Sequence, residues 1–217
     1  ANTPLGRFSY LAGRGLRLGK TGLTVGGFAT AEMEHLEDGE RNGGIEELNF
    51  LISYDPAPFA HLFADIGVDS LAKVERGRRG IHSNPSLNVE RLYLDLGTND
   101  ALRLRFGKFR TPIGRWNLAR IEPLLWTTSE PLLVEEGFDD TTTGAMLHGS
   151  VFPQGGALSY SLYGALLPPL DAQGDEHPAR YSAGAHLEWA SLRGWTLGVS
   201  YFASQRRNGE WNHLGGA

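Results

Sequence analysis

Cysteine is absent from the 217 residues, which excludes disulfides, thiolate metal sites and haem attachment through a CxxCH motif. Also missing is any apolar run near the roughly 20 residues that a membrane-spanning helix needs, and mean hydropathy is only −0.28. Positive charge is in short supply too. With 20 Lys and Arg against 25 Asp and Glu the net charge is −5, and a pI near 5.8 argues against a nucleic-acid partner, which a basic surface would serve. The start, Ala1-Asn2-Thr3-Pro4, is polar and fits a mature chain whose signal segment has been removed, or a fragment boundary. What is abundant is glycine, 29 of them, in a composition that is 41% hydrophobic. A chain of this length can bury a full-size core without staples.

The hydrophobic residues fall at alternate positions. Leu92, Leu94 and Leu96 alternate with Arg91, Tyr93 and Asp95; after the polar turn Gly97-Thr98-Asn99-Asp100, Leu102, Leu104 and Phe106 alternate with Arg103, Arg105 and Gly107. Period two across a tight turn predicts a β-hairpin over 87–109. One face of that hairpin is wholly apolar, while the other carries three arginines and an aspartate. A soluble sandwich would turn the leucines inward. A transmembrane barrel would turn them to lipid and line a wet lumen with the charges.

The rest of the chain favours the barrel. Residues 1–20 form a basic, glycine-rich N-terminal segment, and 21–217 are read as strands and loops. Within the first segment Gly15-Leu16-Arg17-Leu18-Gly19-Lys20-Thr21 resembles a phosphate-binding loop, but Arg14 stands where its first glycine belongs and strand-like residues follow Thr21. Strands are expected over 23–33, 45–54, 59–69, the hairpin, 142–152, 157–166, 181–190 and 195–202, with short and long connections in alternation. An up-and-down membrane barrel has this rhythm, with tight turns at one rim and long loops at the other, whereas a sandwich has no reason for it. Tyr54, Phe59, Phe152, Trp189 and Trp195 sit beside the short turns, where an interfacial aromatic girdle belongs. The count is about nine strands, an odd number where single-chain bacterial barrels close with an even one. Trp211 to Ala217 read as loop. The chain is therefore expected to be the N-terminal part of a barrel of about 16 to 18 strands.

With Arg105-Phe106-Gly107-Lys108-Phe109-Arg110-Thr111-Pro112-Ile113-Gly114-Arg115-Trp116-Asn117 in view, the chain resembles bacterial outer-membrane porins, especially the broad group that includes the phosphate-selective porins. The resemblance spans roughly Gly22 to Leu166, and its distinctive part is the turn marked by Pro112 and Gly114. It implies a homotrimeric, water-filled pore in the Gram-negative outer membrane, with the third long loop folded into the lumen as a constriction. The basic clusters behind phosphate selectivity have no counterpart residue by residue, so that selectivity is not carried over.

Residues 110–141 also read as a constriction loop on their own chemistry. Glu122, Glu130, Glu135, Glu136, Asp139 and Asp140 lie along it, and the wall at its root offers Arg91, Arg103 and Arg105. Opposed charges across a narrow channel sort solutes by charge. Alternatively the arginines pair with Asp95 and neighbouring acids and simply fill a wet interior. His61, His148 and His186 fall on separate strands without ligand spacing, so no metal is expected. Ser150, Ser159, Ser161 and Ser200 lack a Gly-x-Ser-x-Gly elbow, and no enzyme is expected. The function expected is passive diffusion of small hydrophilic solutes or ions, with outer-membrane lipid as surroundings and no cofactor. The alternative is a barrel scaffold that sheathes or anchors a partner such as an electron-transfer protein or surface assembly.

Overall fold

The computed structural model describes residues 8–11, 15–35, 41–75, 83–118, 138–167, 181–205 and 209–216. Along them run β1 (Phe8–Leu11), β2 (Gly15–Leu18), β3 (Leu23–His35), β4 (Arg41–Ala57), β5 (Ala60–Glu75), β6 (Ser86–Asn99) and β7 (Leu102–Arg110). The short helix α1 (Gly114–Leu118) follows, then β8 (Thr141–Val151), β9 (Gly156–Ala165), β10 (Tyr181–Ser191), β11 (Thr196–Gln205) and β12 (Trp211–Gly216). The strands lie side by side in chain order from β1 to β12 in one sheet. The paired strands run antiparallel, as in β7 with β8 and β10 with β11. Neighbours in sequence are neighbours in space, the meander that short turns dictate.

Three strands depart from the sequence expectation. β1 and β2 form a hairpin, with Phe8 opposite Leu18 and Leu11 opposite Gly15, inside the stretch read as a basic N-terminal segment. β12 pairs with β11 from Gln205↔Trp211 to Ser200↔Gly216, where a loop was expected. These strands are only four to six residues long, too short to show an alternation of their own, and their neighbours supply the ladder. Among the described residues the sheet thus has twelve strands instead of about nine. After Lys20-Thr21 the chain enters β3, so no phosphate-loop helix forms there.

The chain divides into two compact units, Ala1–Pro56 with Leu62–Leu92, and Ala57–His61 with Tyr93–Ala217. In the first, β3 and β4 pair from Leu23↔Tyr54 to His35↔Arg41, with the register shifting between Thr30 and Ala31. Thr30 faces Glu47 while Ala31 faces Ile45, so Glu46 is one residue too many on β4. Such a bulge reverses the side-chain parity beyond it. It explains why Ile45 and Phe50, five residues apart, are both exposed, at 47% and 45%.

In the second unit the alternation is inverted relative to a water-soluble protein. One face of β7 to β11 exposes Leu102, Leu104, Phe106, Leu162, Leu187, Leu197 and Val199, each between 43% and 66% accessible. The opposite face buries Ser182, His186, Ser200 and Ser204 to 8% or less. Apolar side chains there include Phe109, Met146, Tyr163 and Phe202, which form a cluster with Ile113 and draw in Tyr93, Phe138 and Leu214. Lys108 breaks the pattern: alternation puts it with Leu104 and Phe106, yet it is buried.

Candidate functional site

The polar face of the second unit is built in rungs, because antiparallel register sets one residue of each strand beside its counterpart on the next. One rung runs Arg103, His148, Ser161, His186, Ser200 and Gly216 across β7 to β12. The adjacent rung runs Arg105, Met146, Tyr163, Gly184, Phe202 and Leu214. Gly184 is required by its neighbour: a β-carbon there would collide with the Tyr163 phenol. Ser150 and Ser159 bond each other through their hydroxyls at 2.9 Å.

Arg105 is locked on this face. Its Nε donates to Asp95 Oδ1 at 2.6 Å and its Nη2 to Asp95 Oδ2 at 2.8 Å. Its guanidinium lies 3.8 Å from the centre of the Tyr93 ring. His148 Nε2 stands 3.4 Å from the same carboxylate. A fork-to-fork pair of this kind fixes both side chains and cancels most of their field at a distance. Arg103 is held more loosely, by Asp100 at 2.9 Å, with side chains 36% and 70% exposed. In the first unit Arg91 donates through Nε and Nη2 to Asp65 Oδ2 at 3.0 and 2.8 Å, with its guanidinium over Phe63. All three arginines thus carry acidic partners, the arrangement in which charges fill a polar face in pairs.

The stretch after β7 folds back onto this face. Thr111, Pro112 and Asn117 are fully buried. Thr111 Oγ1 donates to Asp139 O at 2.6 Å and bonds Thr142 Oγ1 at 2.9 Å. Asn117 Nδ2 donates to Thr111 O at 2.7 Å and Asp140 O at 2.9 Å. Gly114, at φ 59°, turns the chain in the left-handed region that glycine tolerates. Its amide donates to Ser200 Oγ at 3.0 Å, and Ser200 Oγ in turn bonds His186 Nδ1 at 2.8 Å. Pro112 and Gly114 therefore carry the chain from the end of β7 to β11, with Ile113 set into the apolar cluster.

Of the acidic loop residues, Asp140 pairs with Arg110 at 2.6 Å and Asp139 contributes its carbonyl to Thr111. Neither is drawn to Arg91, Arg103 or Arg105 by a bond at those arginines' described contacts. Glu122, Glu130, Glu135 and Glu136 lie outside the described residues. The girdle candidates Tyr54, Phe59, Phe152 and Trp195 are exposed at 39%, 54%, 71% and 47%. Trp189 is half-buried and packs over Gly156, where a β-carbon would come within 2.8 Å of its ring. The buttress made by Thr111, Asn117 and Ser200 was missed as a unit. The only local signal for it was the Pro-x-Gly turn between Thr111 and Asn117.

Chemically this face sets polar groups, among them the Ser200–His186 contact, beside the apolar cluster. His186 and Ser200 are buried under the Ile113 turn, and His186 Nε2 meets no hydrogen-bond partner among the described residues. No protein-family model matches the chain, and no curated protein is significantly similar to it.

Proposed function

We propose that this chain is an outer-membrane β-barrel porin of Gram-negative bacteria, passing small hydrophilic solutes or ions through a lumen narrowed by the connection between β7 and β8. The observation that carries the reading is the inverted sheet of the second unit. Leucine, valine and phenylalanine side chains that would each gain about 1.5–3 kcal/mol on leaving water form a continuous exposed face. Serine, histidine and paired charges are buried opposite them. Lipid against the apolar face and water against the polar one satisfies both at once. The aromatic residues at the short turns support the same orientation.

The inward fold of Thr111 to Leu118 supports the constriction. A loop root bonded through Gly114 to Ser200 and packed through Ile113 is held against the polar face. The porin resemblance adds homotrimeric assembly to the proposal, and the channel is passive, without catalysis or cofactor. The test is single-channel conductance of the detergent-purified protein in a planar bilayer. Discrete steps that enlarge when residues 119–136 are deleted support the pore with its constriction. A folded, inserted protein that stays silent with and without the deletion overturns it in favour of a barrel that sheathes or anchors a partner protein.

A further inference from the structure

The first unit carries an oxygen-rich patch that the pore reading does not use. Glu47 and Asn49 follow the β4 bulge on the side facing Thr30 and Phe28. Gly67, on the neighbouring strand β5, is buried and leaves a gap opposite them. A β-carbon built on Gly67 would stand 3.1 Å from Asn49 Oδ1, 3.3 Å from Glu47 Oε1 and 3.7 Å from Asp69 Oδ1. Three oxygens from three side chains thus converge on one small space. Asn49 is 2% exposed, and its Oδ1, aimed into that space, has no hydrogen-bond partner among the described residues.

Among the described residues, two more buried oxygens in this unit lack partners, Thr30 Oγ1 on the residue opposite Glu47 and Asp65 Oδ1 two residues before Gly67. Arg91 occupies only the far oxygen of Asp65, Oδ2. A buried acceptor left without a donor is unfavourable, and two carboxylates held around one point repel each other. A cation in that space would answer Asn49 Oδ1 and offset the repulsion between the carboxylates. Among the described residues no three carboxylates or imidazoles converge; here two carboxylates and an amide oxygen do, an all-oxygen set that suits a hard cation and excludes a soft one. Calcium's loose shell of about 6–8 oxygens tolerates the side-chain adjustment and added waters that magnesium's rigid octahedron does not.

We infer that Glu47, Asn49 and Asp69 form a calcium-class divalent cation site over Gly67. The site stands independently of the pore reading. Gly67→Ala is the decisive variant, since it fills the space without changing any charge, and Asp69→Asn removes a ligand without adding bulk. Calcium chloride is titrated calorimetrically into the detergent-folded full chain and both variants, with folding checked by heat-modifiable migration in gels. The expected result is one calcium per chain with affinity in the range of about 0.1–1 mM typical of extracellular modules. Asp69→Asn is expected to weaken it by at least tenfold, and Gly67→Ala to abolish it. No calcium uptake by the unmodified chain overturns the inference, and the unpaired oxygen of Asn49 is then better read as the amide turned to donate to the carboxylates. Uptake unchanged in a folded Asp69→Asn variant also overturns it, because the ion then sits elsewhere.

Discussion

Replacing Asp95 with Asn keeps the shape of the side chain and removes the charge that Arg105 is built around. Both partners are well shielded, with side chains 6% and 19% exposed, and they meet through two bonds of 2.6 and 2.8 Å. A fully exposed ion pair contributes about 0–1 kcal/mol, and breaking a fully buried one costs about 3–5 kcal/mol. Arg105 retains some solvent and its stacking on Tyr93, so Asp95→Asn should cost about 2–3 kcal/mol, between those limits. The assay is reversible urea unfolding in lipid vesicles for Asp95→Asn, Arg105→Gln and the double variant. The cycle should return a coupling energy of about 1.5–3 kcal/mol. In the same variants, Asp95→Asn should raise anion over cation permeability, measured as reversal potential in a salt gradient, because it leaves Arg105 uncompensated. Arg105→Gln should shift the reversal potential the opposite way. A coupling energy under about 0.5 kcal/mol, the range of independent sites, would refute the argument that the pair is a shielded unit.

Two further perturbations follow from the packing. Gly184→Leu should drive the Tyr163 phenol out of its cluster with Met146 and Phe202, costing about 1–3 kcal/mol of unfolding free energy as overpacking does; an unchanged urea midpoint would contradict the contact. Asn117→Ala removes both donors that tie Thr111 O to Asp140 O. It should cost about 1–3 kcal/mol and make single-channel currents larger or noisier as the Ile113 turn loosens, whereas quiet currents of unmodified size would show that Asn117 does not hold the loop root.

The parts of this fold that could be read from the sequence are those where one face is uniform. In Leu102 to Phe106 and Tyr181 to Val199 the parity of apolar residues fixes which side chains share a face, and the burial of His186 and Ser200 opposite exposed Leu187 and Val199 follows from it. Parity fails wherever the chain slips by one residue. The Glu46 bulge set Ile45 and Phe50 on the same exposed face, which no period-two count could assign. The short strands β1, β2 and β12 were invisible for a different reason: their ladders are supplied by neighbours and not by their own composition. Within the site, the possibility that Asp95 answers Arg105 was legible because the two share one hairpin face. The Gly114 amide reaching Ser200 was not, because 86 residues separate them in sequence and only the tertiary fold brings them together.

The most direct test uses the chain's lack of cysteine. Single cysteines placed in turn from Thr196 to Ala203 on β11, spin-labelled in lipid vesicles, report collision with lipid-soluble oxygen and with a water-soluble nickel chelate. The account predicts that positions 197, 199 and 201 favour oxygen and that 196 and 198 favour the chelate, with 200 and 202 shielded from both beneath the Ile113 turn. Chelate access at 197, 199 and 201 equal to or above that at 196 and 198 would contradict a sheet whose apolar face meets lipid.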